Sequence, residues 1–257
     1  MVENPNSVLE KVFGILDTLS SGEGPLSVTE ISRRLELPKA TAHRILSRLR
    51  ERNLVLKDGT GCYQVGPGTL FWAGAYRKTE GLAEIARPHL RRLLEETGET
   101  VHLFTYENGK AYYLDKLESL RPVRMMSRIG SSPALHCTSA GRAILSHLPA
   151  SELESYLAGV RLEKRTSRTV TDPSELRFLL ERARDRGYAE ENEENEEGIR
   201  CIGAVILDEW SYPVGALSVT ALAYRFGDES VERVGALVRQ AAAEISGELG
   251  CRARTQN

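Results

Sequence analysis

The sequence predicts an α+β protein in which a winged helix-turn-helix precedes a larger domain built on a mainly antiparallel sheet. Three observations carry that expectation. Helix-periodic segments at the N-terminus lead into two β-rich runs around "DGTG", Asp58–Gly61. From residue 99 onward, β-rich runs, two of them joined by the turn Asn108-Gly109, mix with helical patterns. That mixture lacks the regular strand–helix alternation of a doubly wound parallel sheet.

Each element has its own signal. Val8, Leu9, Val12, Phe13, Leu16 and Leu19 recur at helical spacing and form one apolar stripe. "SGEGP", Ser21–Pro25, breaks that helix. Ser27 and Glu30 have capping-box spacing and open a short helix that ends near Leu35. A third helix starts near Lys39, with Ala42, Ile45, Leu46 and Leu49 as its buried stripe. "LVLKDGTGCYQV" reads as a two-stranded ribbon, which completes a winged helix-turn-helix over residues 1–68. Residues 69–98 read as linker helices, with Gly74 and Gly81 as weak points and Pro88 as a kink or restart. The second domain, 99–257, has strands over "TVHLFTY", "AYYLDKL" and "VRMMSRI", then helices over "TSAGRAILSHL" and "SELESYLAGV". Ser151 and Glu154 have capping-box spacing at the second of these. Asp172 caps a further helix, Pro173 opens it and Gly187 ends it. "CIGAVIL" and "PVGALSVT" are strands, and a long helix from Asp228 closes the chain.

Composition narrows the function. The chain has 257 residues, 41% of them hydrophobic and 27% charged, enough for a sizeable core. A net charge of −2 means that any nucleic-acid surface must be local. Cys62, Cys137, Cys201 and Cys251 are scattered and form no CxxC pair, against a zinc module or disulfide framework. No metal or cofactor is expected. The N-terminus lacks a signal-peptide pattern, and no apolar run reaches the roughly 20 residues of a membrane span. A cytoplasmic protein with reduced thiols is expected.

The third helix carries the first candidate chemistry. Between Lys39 and Arg52 it has five Lys or Arg side chains and one acid, Glu51. A solvated amphipathic helix would look similar, but this one is second in a helix-turn-helix and precedes a wing. Ser27, Lys39, Thr41, His43, Arg44, Ser47, Arg48 and, in the wing, Lys57 are the candidate DNA contacts, being types that bond phosphates and base edges. Enzyme signatures are weak. His136-Cys137 would point to opposite faces of an extended chain, and GxSxG, P-loop and HExxH patterns are missing, so no catalysis is expected. At Ser139, Ala140 and Gly141 a helix begins with small residues. Exposed amides there favour an anion, although ordinary capping explains the same residues. "EENEENEE", Glu190–Glu197, puts six glutamates in eight positions directly before an apolar strand. Such a block is ordinarily a solvated loop.

The stretches "SVLEKVFGILDTL", "TEISRRLELPKATAHRILSRL", "SRIGSSPALHCTSAGRAIL", "RDRGYAEENEENEEGIRCIGAVILD" and "GALSVT" together resemble the IclR (isocitrate lyase regulator) family. Within it, "YYLDKLESLRPVRMMSRIG" and "EENEENEEGIRCI" resemble the KdgR-like branch, regulators of 2-keto-3-deoxygluconate use. The resemblance implies a DNA-binding regulator, in most cases a repressor, with a C-terminal GAF-like domain that binds a small metabolite. It implies homodimers or dimers of dimers. The alternative is a C-terminal interaction or oligomerisation module without an effector. Matching effector positions are Met125, Ser139, Ala140, Glu191, Ile199, Cys201, Ser218 and Thr220, with Gly141 at the same helix start. Arg128 is added without support from the family. The expected effector is a small carboxylate such as 2-keto-3-deoxygluconate or a related sugar acid, and the expected partner is double-stranded operator DNA. Glu191 is expected to meet ligand hydroxyls, Glu194 to fix the acidic loop, and Glu196 to do neither. Leu70, Phe71 and Trp72 are the expected dimer contact.

Overall fold

The computed structural model describes residues 7–21, 24–79, 81–121 and 127–251. The chain forms two compact units, 1–80 and 81–257.

The first unit contains α1 (Val8–Ser20), α2 (Val28–Arg34), α3 (Lys39–Glu51), β1 (Val55–Lys57), β2 (Tyr63–Val65) and α4 (Thr69–Thr79). Ser27 caps α2 in a two-way capping box with Glu30, as its spacing predicts. Ala42, Ile45, Leu46 and Leu49 are the buried stripe of α3. They pack against Ile15, Leu19, Ile31, Leu54 and Tyr63 in one small apolar core. The α1 stripe is only partly used: Ile15 and Leu19 are buried, whereas Val8, Leu9 and Phe13 stay exposed. Three short helices cannot cover both ends of α1. After the wing, Gly66 and Gly68 lie so close to the end of α3 that a Cβ would come within 2.2 Å and 2.6 Å of the Asn53 and Arg52 carbonyl oxygens.

The second unit contains α5 (Leu82–Thr97), β3 (Thr100–Glu107), β4 (Lys110–Leu117), α6 (Ser139–Leu145), α7 (Ala150–Gly159), α8 (Pro173–Arg186), β5 (Ala189–Asn192), β6 (Ile199–Leu207), β7 (Pro213–Leu222) and α9 (Asp228–Glu248). Its five strands run in the order β4-β3-β7-β6-β5, and every pairing is antiparallel. Period-2 alternation sorts the sheet into two faces. Val101, Leu103, Ile202, Ile206, Leu217 and Val219 face α5 and α9 in the main core. Phe104 and Ala216 face the other way, with α6 and α8 packed over that side in a second cluster.

Four sequence expectations need correction. Residues 69–98 are not one linker: α4 belongs to the first unit, while Leu82, Ala86, Leu90 and Leu93 of α5 are core of the second. The α5 helix runs through Pro88, which lies within its 16 residues. The Ser151/Glu154 capping box does not form, because α7 starts at Ala150 after Pro149. Glu154 instead bonds Arg177 of α8 at 2.6 Å. Finally, the acidic block is not all loop, since its first residues are edge strand β5. The strand expected over "VRMMSRI" lies largely outside the described residues, and Ser127–Ile129 are not in a strand. The α8 signals act as read: Asp172 accepts from the Ser174 and Glu175 amides, and Gly187 ends the helix at φ +74°.

Candidate functional site

The outward face of α3 follows from its buried one. With a stripe at Ala42, Ile45, Leu46 and Leu49, the 3.6-residue period turns His43, Arg44 and Ser47 away from the core. Lys39, His43, Arg44, Arg48 and wing Lys57 are exposed; Thr41 and Ser47 are half-buried. Arg48 is partly committed to Glu51 at 2.9 Å. The Ser27 hydroxyl is engaged by Glu30, so its first role is helix capping. In the wing, Asp58 Oδ1 accepts from Thr60 N and Cys62 N, both at 2.9 Å, which shapes the turn. The result is a positively charged helix face beside a rigid hairpin.

A cavity of about 250 Å³ opens on the α6 side of the sheet. Strand alternation sends His102 and Phe104 of β3, Ile199 and Cys201 of β6, and Ser218 and Thr220 of β7 into its wall. Ser139 and Ala140 enter from the start of α6. That helix approaches β6 closely only because residue 203 is glycine: a Cβ there would lie 2.9 Å from Ala140 N. Glu191, Asn195 and Glu196 close one side and Arg165 another.

Of the residues proposed from sequence, Ser139, Ala140, Glu191, Ile199, Cys201, Ser218 and Thr220 share this wall. Three do not. Gly141 is needed for packing, since a Cβ would fall 2.3 Å from the Leu135 carbonyl oxygen. Arg128 lies off the wall and shapes a turn, its carbonyl accepting from Ser131 N at 3.1 Å and Oγ at 2.7 Å. Met125 lies outside the described residues. Glu196, expected to be a bystander, lines the cavity. Sequence reasoning missed His102, Tyr113, Arg165 and Asn195. A signal existed for His102, which pairs in register with Ser218 and so shares its face. None existed for Arg165, which sits in an irregular segment.

A chain of hydrogen bonds runs along the floor. His102 Nε2 lies 2.7 Å from Ser127 Oγ, and Nδ1 lies 3.3 Å from Thr220 Oγ1. Thr220 Oγ1 donates to Cys201 Sγ at 3.3 Å. The histidine proton therefore belongs on Nδ1, leaving Nε2 to accept from Ser127. Burial, and then Lys116 nearby, push His102 down to about 3, so it is neutral. Burial, and then the charge of Glu191 near the end of this chain, raise the Cys201 thiol. Burial raises Glu191 to about 7, against the bonds it accepts from the Asn195 and Glu194 amides at 3.1 Å and 2.6 Å.

Three of the other glutamates have work elsewhere. Glu190 pairs with Arg200 at 2.8 Å and Glu193 with Arg168 at 3.1 Å. Glu194 makes a two-pronged, buried pair with Arg142, one arm being 2.7 Å. Arg142 is itself 2% exposed and also donates to the carbonyls of His136 and Glu190. The acidic block is thus fastened to its surroundings by three arginines.

His136-Cys137 is poorly suited to nucleophilic chemistry. His136 Nε2 bonds the Glu163 carbonyl at 3.0 Å, and burial pushes the Cys137 thiol up to about 11. Among the described residues no cluster of three or more His, Cys, Asp or Glu could hold a metal ion. No helix among them is long and apolar enough to cross a membrane.

Comparison with known proteins matches these two regions to two family models. Residues 8–59 match the IclR helix-turn-helix domain and residues 74–247 the bacterial transcriptional regulator IclR C-terminal domain. The chain is 36% identical over 239 residues to the HTH-type transcriptional regulator BhcR of Paracoccus denitrificans, covering 93% of this chain and 85% of that protein. It is 33% identical over 249 residues to the HTH-type transcriptional regulator KdgR of Escherichia coli, covering 96% and 94%. The crystal structure of Thermotoga maritima IclR superposes with a TM-score of 0.82 at 36% identity, covering 94% of this chain and 98% of that one. An IclR homolog from Microbacterium hydrocarbonoxydans, solved with 4-hydroxybenzoate, superposes with a TM-score of 0.78 at 26% identity, covering 95% and 99%. A helix-turn-helix with a basic outer face, a polar cavity in an antiparallel-sheet unit and both family models in order make this chain a member of the IclR family of bacterial transcriptional regulators.

Proposed function

We propose that the protein is a repressor whose hold on operator DNA is controlled by a small hydroxylated carboxylate, such as 2-keto-3-deoxygluconate or a related sugar acid, bound in the second unit. The observation that carries this is the small cavity walled by polar side chains from β3, β6, β7, α6 and the acidic segment. At about 250 Å³ it is roomy enough for a small metabolite rather than a single water. The Ser139 and Ala140 amides lie in the unpaired first turn of α6 and, with the Ser218 hydroxyl, supply donors for a carboxylate. Glu191 accepts from ligand hydroxyls through the capacity that its two amide bonds leave over. The 4-hydroxybenzoate held by the solved homolog is also a carboxylate.

The working unit is a dimer or dimer of dimers. Leu70, Phe71 and Trp72 on α4 are 69%, 78% and 56% exposed, and Val8, Leu9 and Phe13 on α1 are exposed as well, more apolar surface than so small a unit leaves to water alone. Two copies of α3 would read half-sites about one helical turn apart, or a multiple of it.

The test is a titration of the operator complex with 2-keto-3-deoxygluconate and related sugar acids, alongside melting of the free protein. A ligand that raises the melting temperature and releases the operator is expected. Glu191→Ala should keep operator affinity and lose the response. No melting shift with any carboxylate would sink the effector assignment.

A further inference from the structure

The cavity has a charge problem that the proposed effector makes worse. Two of its lining residues, Glu191 and Glu196, are acids, and an entering carboxylate adds a third. His102 offers no compensation, because it is neutral. Among the described lining residues one side chain is cationic, Arg165. We infer that Arg165 is the charge-selecting residue of this cavity, its guanidinium pairing with the carboxylate of the effector; this rests on the carboxylate reading above.

The placement of Arg165 fits such a role. Its backbone is pinned while its head is free. Arg165 N and Thr166 N both donate to Thr169 Oγ1, at 3.0 Å and 2.8 Å. Thr169 Oγ1 in turn donates to the Glu194 carbonyl at 2.6 Å, and Thr166 Oγ1 to that of Glu193 at 2.7 Å. The segment is therefore laced to the acidic block. The guanidinium itself makes one long contact, Nη1 to Asn195 Oδ1 at 3.5 Å, and no ion pair among the described residues. The neighbouring Arg142, Arg168 and Arg200 all have acid partners. A free guanidinium on a fixed stem can give a carboxylate two parallel bonds without breaking an existing pair. The cavity is roughly 8 Å across as an equivalent sphere, comparable to the Debye length at physiological salt, so the charge acts across it with little screening. That field already reaches the wall: it pulls down Tyr113 and Cys137 against the rise that burial imposes.

The two acids then have a selective effect. Glu196 near the same space repels anions that Arg165 does not hold, and rewards a ligand with hydroxyls elsewhere. Arg165 thus reads charge, and the floor reads the remaining polar groups.

The experiment is calorimetric titration of the full-length protein with pyruvate, 2-keto-3-deoxygluconate and 4-hydroxybenzoate, each beside its uncharged amide. For whichever acid binds, Arg165→Gln should weaken the carboxylate by roughly 10- to 100-fold. The variant should bind the amide within about twofold of the parent, and Arg165→Lys should recover much of the loss. Unliganded melting should not move, since the side chain is exposed. Equal carboxylate affinity in Arg165→Gln and the parent, or equal losses for acid and amide, would overturn the role of Arg165 alone. A parent protein that binds none of the three acids would overturn the carboxylate reading and this inference with it.

Discussion

The two units put their chemistry on opposite sides of their cores. In the first, the interior is a plain apolar cluster, and the residues proposed to meet DNA stand outside it. In the second, the polar groups are inside: His102, Glu191, Glu194, Arg142, Ser218 and Thr220 are all buried. An outward site can be changed with little cost to the fold. An inward one is part of what holds the unit together, because each buried polar group must keep its partners.

Breaking that contrast should be easiest at the buried ion pair. Glu194→Ala leaves Arg142 buried without its acid and should cost about 3–5 kcal/mol of stability in the second unit. Hydrogen exchange in increasing denaturant, resolved by segment, separates the two cores. The first unit should unfold as in the parent.

The next largest effect is a pH dependence set by two buried groups of opposite sign. Glu191 has its folded value raised from 4.5 to about 7, so its contribution to stability is present below pH 4.5 and is lost as pH rises toward 7. His102 has its value lowered from 6.5 to about 3, so its contribution is present above pH 6.5 and is lost as pH falls toward 3. Between pH 4.5 and 6.5 the two slopes oppose each other. Glu191→Gln removes one of them, so stability of the variant should rise across that window, by about 1–3 kcal/mol relative to the parent. Melting temperatures from pH 4.5 to 7.5 check this. The same titration implies that carboxylate ligands bind more weakly as pH passes 7, when Glu191 becomes charged.

Outside the first core the effects should fall on binding. Arg44→Ala should weaken operator binding by about 1–3 kcal/mol without altering the melting temperature. Unchanged gel-shift affinity would remove α3 from the interface. The smallest effect sharpens the line between the two roles. Ser27→Ala removes the α2 cap and should cost about 1 kcal/mol of stability in the first unit. A loss of operator affinity beyond that would restore Ser27 as a direct contact.

The same contrast explains what could be read from sequence. The α3 stripe and the Ser27–Glu30 box were legible because their partners lie three to seven residues away on one helix. Period 2 puts Ile199 with Cys201, and Ser218 with Thr220, on one side of their strands, and the family resemblance names them. The wing, the α8 cap and the antiparallel sheet were also legible, being set by turn and capping chemistry. What could not be read was pairing across the fold. Arg142 finds Glu194 across a separation of 52 positions, and Arg165 reaches the cavity from a segment without periodicity. Gly141 shows the same limit: a close approach to Leu135 and an open helix start look alike in one dimension.

The fastened acidic block also bears on how the chain folds. By composition Glu190–Glu197 is the most local-looking stretch in the protein, yet its contacts with Arg142, Thr166 and Thr169 span 52, 27 and 25 positions. Loops of that size must close before these bonds can form. Until then Arg200, ten positions from Glu190, is the near counter-charge to six like charges, and the remaining repulsion resists collapse of the β5 edge. The block is therefore expected to join after α6, which carries Arg142, has docked. Salt that screens the repulsion early would also weaken the ion pairs at the end, so refolding of this unit should be fastest at an intermediate ionic strength.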